Sequence, residues 1–141
     1  MPRTTHAVSR PSFVVDWNGV VRDTGRQIDW ANVGAGYIDA TTGKKVLPAG
    51  TVVGDLLGAG KISPRVVTTN PAMGILLETA VEDDPAAALS GYGVMVGGPV
   101  YEALLPDASG SPRVLAAAIR TELDAAVTST GFGFHVWEDV R

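Results

Sequence analysis

The chain has 141 residues, of which 18% are charged and none is cysteine, and its net charge at pH 7 is −4. The absence of cysteine excludes disulfides, thiolate metal sites and thiol catalysis. The acidic balance disfavours nucleic acid as a direct partner. No apolar run approaches the roughly 18 residues of a membrane-spanning helix, so we expect no membrane partner either.

The chain is rich in turn-forming residues, with 17 glycines and 9 prolines spread along its length. Together with the length, this distribution predicts one β-rich domain with many turns. Aromatic residues make up only 6% of the chain, so the core must be built mainly from aliphatic side chains.

Residues 1–12 differ in composition from the rest of the chain. They contain Arg3 and Arg10, no acidic residue, and prolines at positions 2 and 11. A segment with so little apolar surface cannot pack by itself, and we predict a flexible or extended N-terminal arm. A frayed terminus without a function is the alternative.

A hairpin is predicted next. Asn18-Gly19 lies between two valine-rich runs, and this dipeptide favours the type I′ turn because both central residues adopt positive φ. We therefore expect residues 13–17 and 20–23 to form paired strands. Trp17 and Trp30 are interpreted as anchors in the core or in an interface.

Further strands are predicted along the middle of the chain from short apolar or β-branched runs. They are Tyr37–Asp39, Val46–Gly54 (strand, turn, strand), Lys61–Thr69, Met73–Leu77, Tyr92–Val96 and Val100–Leu104. Turns are predicted at Thr42–Lys45 and at the acidic segment Val81–Pro85. Gly97-Gly98-Pro99 predicts a bend between two strands, because proline lacks a backbone donor.

One helix is predicted in the C-terminal half. Ser109 or Ser111 is expected to cap it, with Pro112 in the first position and an end near residues 128–131. Leu115, Ile119, Leu123 and Ala126 form one apolar stripe at helical spacing. Alternating residues from Phe132 to Val136 predict a final strand.

The sequence matches no template for phosphate or dinucleotide binding. Gly54–Lys61 resembles a phosphate-binding loop, but Asp55 stands where the first glycine belongs and Ile62 replaces the metal-binding Ser or Thr. A β-turn is the better interpretation. Gly34-Ala35-Gly36 lacks a third glycine and a following helix.

Catalytic and metal-binding residues are equally hard to place. His6 lies in the predicted arm, and His135 lies on a predicted strand between aromatic residues, where a structural or surface role is favoured. Glu82-Asp83-Asp84 is interpreted as a solvated turn because no EF-hand pattern surrounds it. A pair of glycosidase carboxylates stays open from sequence alone. We expect no enzyme activity, cofactor or metal.

The order of the segments resembles a known family. These segments are KKVLPAGTVVGDL, PAMGILLETAVED, GYGVMVGGPVYEALLPD, AAAIRTEL and GFGFHVWED, which together span about residues 44–137. In this order they are similar to the head decoration, or capsid-cementing, proteins of tailed bacteriophages of the phage lambda type. The most specific segment is Val94–Pro106, which matches a valine-, glycine- and glutamate-containing strand of that family.

The resemblance implies a compact β-tulip-like or β-barrel-like domain, mainly β with one helix (α+β). It implies a homotrimer that binds the major capsid protein of an HK97-like head at three-fold and local three-fold positions on the outer surface. The arm of such proteins is mobile when free and orders on the capsid. The capsid-binding residues expected here are Pro2, Arg3, Thr4, Thr5, His6, Ala7, Val8, Ser9 and Arg10.

We accordingly expect an arm at residues 1–12 and a single decoration domain at 13–141, in which 13–30 form an added hairpin. The expected location is the virion's outer capsid surface, after synthesis in the host cytoplasm. A tail-tube or head-completion protein is the first alternative function. A small-ligand-binding β-barrel or an enzyme is the second.

Overall fold

The computed structural model describes residues 11–55, 61–66, 70–83, 91–109, 113–126 and 129–135. This part of the chain is mainly β with one helix in its C-terminal half, so the predicted fold class is confirmed. The strands are β1 (Val21–Ile28), β2 (Val46–Leu47), β3 (Val52–Gly54), β4 (Lys61–Pro64), β5 (Gly74–Leu76), β6 (Ala80–Val81), β7 (Tyr92–Tyr101) and β8 (Gly131–His135). The helix α1 is Ala117–Ala125.

Five strands form a ring. Their order is β1-β4-β3-β5-β7, and β7 pairs again with β1 to close it. Strand β8 lies outside the ring and pairs in parallel with the second half of β7, in the register Gly97↔Gly131 to Tyr101↔His135. Strands β2 and β6 form a separate two-stranded sheet.

The sheet has apolar side chains on both of its faces. Successive residues of β5 alternate between two buried clusters, with Ile75 in the first and Leu76 in the second. Met95 and Val94 of β7 divide in the same way. Because strand side chains alternate between faces, burial of both faces requires continuous apolar runs instead of alternating ones. This explains the unbroken hydrophobicity of Met73–Leu77, and the buried strand predicted there is confirmed.

The hairpin predicted at Asn18-Gly19 is wrong. Trp17–Gly19 forms a short 3-10 helix, in which the Asp16 carboxylate accepts a hydrogen bond of 3.0 Å from the Asn18 N–H. The flanking segments pair separately with β7, since Val14 bridges Val100 and Val21 is opposite Gly97. A long central strand offers more apolar surface than the two runs offer each other, and this tertiary pairing overrides the local turn preference.

The two strands predicted around Gly97-Gly98-Pro99 are one strand, and residues 102–104 are a 3-10 helix instead of strand. Backbone irregularity does occur at the predicted place. Gly98 has φ of +120°, and the register with β1 shifts between Val21 and Arg22. The strand absorbs the irregularity as a bulge and continues, because β8 and Val14 pair with the residues beyond it.

The helix begins later than predicted. Ser109 does not cap it, since Ser109 and Val114 exchange two backbone hydrogen bonds of 3.0 Å and close a turn before the helix. Ala116 holds the N-cap position instead. Ser111 and Pro112 lie outside the described residues. Three residues of the predicted apolar stripe, Leu115 just before the helix and Ile119 and Leu123 within it, are buried in the first cluster, whereas Ala126 follows the helix and packs against the second cluster.

The remaining elements agree with the sequence to different degrees. Val46–Gly54 is a strand, a turn and a strand as predicted, but β2 and β3 pair with other strands and not with each other. Tyr37 belongs to a 3-10 helix, and of the predicted strand Tyr37–Asp39 only Ile38 forms a bridge, to Lys45. Strand β4 confirms Lys61–Pro64 of the predicted strand Lys61–Thr69, whereas Arg65 is not in a strand and Val66 forms an isolated bridge to Asn70; β8 confirms the described part of Phe132–Val136. The ends of these two ranges, and residues 84 and 85 of the acidic turn, lie outside the described residues.

Candidate functional site

The predicted capsid-binding residues, Pro2 to Arg10, lie outside the described residues. The structure does describe the point at which this segment joins the domain. Phe13 and Val14 are fully buried. The Phe13 carbonyl accepts a 2.7 Å hydrogen bond from the Tyr101 N–H, and Val15 N–H donates to the Pro99 carbonyl. Residues 13–15, which follow the predicted arm, are therefore attached to the second half of β7 by backbone hydrogen bonds and by the buried Phe13 side chain.

A turn at residues 11–14 sets the direction in which the chain arrives. The Val14 N–H donates to the Pro11 carbonyl at 3.1 Å, the hydrogen bond of a β-turn. The bridge between Val14 and Val100 occupies one edge of β7, and β8 occupies the other edge. The segment before Pro11 therefore joins the domain on the side of β7 that lies away from β8.

The two tryptophans predicted as anchors are half-buried. Trp17 packs against the first core cluster, and the Arg22 guanidinium lies over its ring, 5.3 Å from the centroid. Trp30 packs against the second cluster. Its carbonyl accepts a hydrogen bond of 2.9 Å from the Lys45 ammonium. Both side chains therefore contact the core, as the interpretation from sequence required.

An ion pair between the buried Glu102 carboxylate and the partly exposed Arg120 supports the end of β7 and was not predicted. Glu102 is 2% exposed, and its carboxylate accepts hydrogen bonds from the Arg120 guanidinium at 2.7 and 3.0 Å and from the Leu115 N–H at 3.1 Å. The same guanidinium lies over the Phe134 ring of β8, 5.7 Å from its centroid. Glu102 thus links β7, α1 and the outer strand. An acid between the apolar runs of Val94–Pro106 was the available signal for a buried pair.

A second ion pair joins α1 to the loop before β5. The Arg65 guanidinium donates to both carboxylate oxygens of Glu122, at 2.9 and 2.6 Å, and the Ala72 N–H donates to the same carboxylate at 2.7 Å. Hydrogen bonding from Arg65 holds the pKa of Glu122 below its usual range, although burial opposes it. The charged form of Glu122 is therefore the stable one in the folded protein.

The segment that resembled a phosphate-binding loop has a structural partner instead. Gly54 ends β3, Lys61 begins β4, and residues 56–60 lie outside the described residues. Asp55 accepts a 3.0 Å hydrogen bond from Arg26, whose guanidinium also binds Asp23. Burial acts to lower the pKa of Arg26, but the two carboxylates outweigh it and the pKa is raised.

The other acidic candidates also bind backbone groups of the domain. Glu82 accepts a hydrogen bond of 3.2 Å from the Lys45 N–H, and Asp107 accepts one of 2.9 Å from the Val52 N–H. Burial, and to a smaller extent the Asp107 charge, raise the pKa of Tyr37. Within the described ranges, no group of three His, Cys, Asp or Glu side chains is placed to hold a metal ion. His6 and Asp84 lie outside those ranges, and His135 forms the backbone pair with Tyr101.

The outer edge of β8 is the structural feature that the sequence did not predict. In the part of the chain that the structure describes, no strand pairs with this edge. The Phe132 N–H points away from β7, since it donates to the Asp124 carboxylate of α1 at 3.1 Å. Because backbone groups alternate in direction along a strand, the N–H and C=O of Phe134 point the same way. The rings of Phe132 and Phe134 stack 6.0 Å apart and pack against the first core cluster.

No family model, curated protein or solved structure matches this chain. No helix among the described residues is long and apolar enough to cross a membrane.

Proposed function

We propose that this chain is a structural virion protein that binds the outer surface of an icosahedral phage capsid as a trimer and stabilises the expanded head. Binding occurs at three-fold and local three-fold positions, through residues 2–10 and the major capsid protein. The protein has no catalytic role. The proposal depends on the resemblance of the segments between residues 44 and 137 to phage decoration proteins.

The observation that supports it best is the arrangement of those segments. The segments that carry the resemblance contribute β3, β5 and β7, and these strands are neighbours in one sheet. Strand β8 and the helix complete the resemblance: β8 pairs with β7 in the same sheet, and Ile119 and Leu123 of the helix are buried in the first core cluster. The resemblance therefore falls on segments that lie together in this structure.

The attachment of the N-terminal segment gives the mechanism. Its root is fixed by Phe13 and Val14, so a load on the segment is transmitted directly to β7. An extended segment can bind by adding a strand to a partner, a mode in which backbone hydrogen bonds supply the affinity. Three such segments on one trimer act together, and this avidity can exceed the affinity of a single segment by about 10²–10⁴.

The test is removal of residues 2–10. The shortened protein is expected to remain folded, because Phe13 and Val14 remain, and to bind expanded, undecorated heads at least about 100-fold more weakly. Sedimentation with purified heads measures the binding, and calorimetry measures the melting temperature. A matched control replaces Arg3 and Arg10 by lysine, which keeps the charge and should keep most of the binding.

Full binding by the shortened protein would contradict the proposed role of the segment. Failure of the intact protein to bind any expanded head would instead favour a tail-tube or head-completion protein. Light scattering then separates these two, since a ring of six favours a tube.

A further inference from the structure

In the described part of the chain, no strand pairs with the outer edge of β8. The ring β1-β4-β3-β5-β7 leaves its own strands with partners on both sides, and β8 alone extends beyond it in the described part of the chain. Proteins usually protect an open edge with a charged side chain, a proline or a bulge. Strand β8 reads Gly-Phe-Gly-Phe-His and contains no Lys, Arg, Asp, Glu or proline, and among the described residues Asp124 of α1 covers the edge at the Phe132 N–H.

The edge is also held rigidly. Phe132 and Phe134 pack into the first core cluster, and Arg120 covers Phe134 while bound to the buried Glu102. The Asp124 carboxylate accepts a hydrogen bond from the Phe132 N–H at the start of the strand. The accessible part of the edge therefore begins beyond Phe132 and includes the outward N–H and C=O of Phe134. A rigid edge loses little entropy when a strand is added to it.

We propose that the β8 edge binds residues 3–10 of a second copy of this chain as an added strand. These residues contain neither proline nor glycine, so each has a backbone donor, and Thr4, Thr5 and Val8 favour extended structure. Eight residues extend over about 26 Å, whereas the five residues of β8 need only about 17 Å. The segment is long enough to cover the edge.

The positive charge of the N-terminal segment also favours it as the strand that binds the β8 edge. Residues 1–12 hold two of the eleven basic residues and none of the fifteen acidic ones, so the rest of the chain is more acidic than the whole. Asp124 lies exposed at the start of β8. An added strand with Arg3 or Arg10 at that end of β8 would lie beside this acid.

The place at which the N-terminal segment joins the domain favours binding to β8 of a second copy over binding to β8 of the same copy. The turn at residues 11–14 brings the segment to the edge of β7 that is opposite to β8. Strand β7 therefore lies between this point of attachment and the β8 edge of the same copy. Donation from each copy to the next is a head-to-tail contact, which can close into a ring of three.

This inference rests on the proposed function in one respect, because both assume that residues 2–10 can add as a strand to a partner. One segment cannot pair with β8 and with a capsid subunit at the same time. The β8 edge is therefore a competing site, and capsid binding requires release of the segment from the neighbouring copy. The resemblance to phage decoration proteins, by contrast, implies that the N-terminal segment is mobile in the free protein, without the contact with β8 that we propose.

Disulfide trapping tests the contact, and the background is low because the natural chain has no cysteine. Chains with Thr4→Cys, Thr5→Cys or Val8→Cys are mixed with isotope-labelled chains that carry Gly133→Cys, under mild oxidation and without capsids. At one arm position or more, we expect labelled-to-unlabelled cross-links roughly fivefold above those with the control Thr41→Cys, which lies in an exposed turn. Cross-linking equal to the control at all three positions would overturn the proposal.

A second measurement leaves β8 unchanged. A fluorescent peptide of residues 1–12 is titrated into protein that lacks residues 2–10, and saturable binding is expected. Asp124→Asn keeps an acceptor for the Phe132 N–H but removes the charge, and it should weaken peptide binding a few-fold at low salt and less at high salt. Absence of peptide binding would overturn the proposal, whereas capsid binding is measured separately and decides the proposed function.

Discussion

The two halves of β7 are stabilised in different ways. Residues 92–96 pair with β1 and β5, and their side chains at 92, 94, 95 and 96 are buried between the two apolar clusters. Residues 97–101 pair with β8 and Val14, and here only Gly97 and Val100 are buried. The next residue is Glu102, which binds Arg120. Apolar packing on both faces holds the first half, and an ion pair and glycine backbone geometry contribute to the second.

The difference indicates where the molecule can bind something. Each strand of the closed ring has a paired neighbour on both of its edges. At the open end, the sheet widens to Val14 on one side and β8 on the other. Both segments to which we assign binding, the N-terminal segment and the β8 edge, join the domain at this end.

The largest expected effect on the free energy of unfolding comes from Gly98→Val, in the second half of β7. Gly98 has φ of +120°, and an added Cβ would lie 2.5 Å from the Gly19 carbonyl oxygen. Strain and overlap together should lower the free energy of unfolding by about 4 kcal/mol and the melting temperature by roughly 10 °C or more.

Gly131→Val is the matched control, because Gly131 also has positive φ (+99°) but no atom lies within 4 Å of an added Cβ. It should cost only the backbone strain, about 1–3 kcal/mol. Equal losses in the two variants, measured by urea unfolding, would show that the contact with Gly19 is unimportant.

Arg120→Met should have the next largest effect. It leaves the buried Glu102 carboxylate without its partner, and we expect a loss of about 3 kcal/mol. Glu102→Gln keeps an acceptor for the Leu115 N–H and should cost less, about 1–2 kcal/mol. If the ion pair supports the second half as described, the double variant loses less than the sum of the single losses. Additive losses in urea unfolding would argue against a direct interaction.

Gly74→Ala tests the packing of β5 against the first half of β7. An added Cβ would lie 2.4 Å from Val94 Cγ1 and 2.7 Å from the Met95 carbonyl oxygen, so the strands must move apart. We expect a loss of about 2 kcal/mol in the free energy of unfolding. Gly93→Ala, whose nearest neighbour would be Leu77 Cδ1 at 3.7 Å, should be nearly neutral. Similar behaviour of the two variants would mean that packing around β5 and β7 is looser than the structure indicates.

The smallest effect is the pH dependence that comes from Glu122. Its pKa is lower in the folded protein than in the unfolded chain, so its contribution to stability is present above the unfolded value and is lost as pH falls through the folded value. Between about pH 5 and pH 3, the natural protein should therefore lose more stability than Glu122→Gln. Parallel stability curves for the two proteins would show that Arg65 does not bind Glu122 in solution.

The fold was predictable wherever local pattern and tertiary environment agree. Met73–Leu77 was identified as a buried strand because its apolar run is short, and Leu115, Ile119 and Leu123 were identified by their helical spacing. The Asn18-Gly19 hairpin failed because Phe13 to Val15 and β1 each pair with β7, which lies some 80 residues further along the chain. Local turn chemistry cannot reveal a partner so distant in sequence.

The candidate sites were predictable only in part. Composition distinguishes residues 1–12 without any structure, since the segment has basic residues and no acid. The β8 edge could not be found in this way, because GFGFH predicts a strand but does not say which strand lacks a neighbour. Nor does the sequence pair Glu102 with Arg120, although an acid between apolar runs indicates that it has a partner.

The sequence by itself determined the β-rich class, the presence of one helix in the C-terminal half and the distinct composition of the N-terminal segment, because these follow from periodicity and composition over short stretches. The tertiary structure alone decided the closure of the ring, the placement of Val14 and β8 on opposite edges of β7, and the pairing of buried charges. Those features depend on contacts between residues far apart in the chain, and their free energies are gained only when the segments meet.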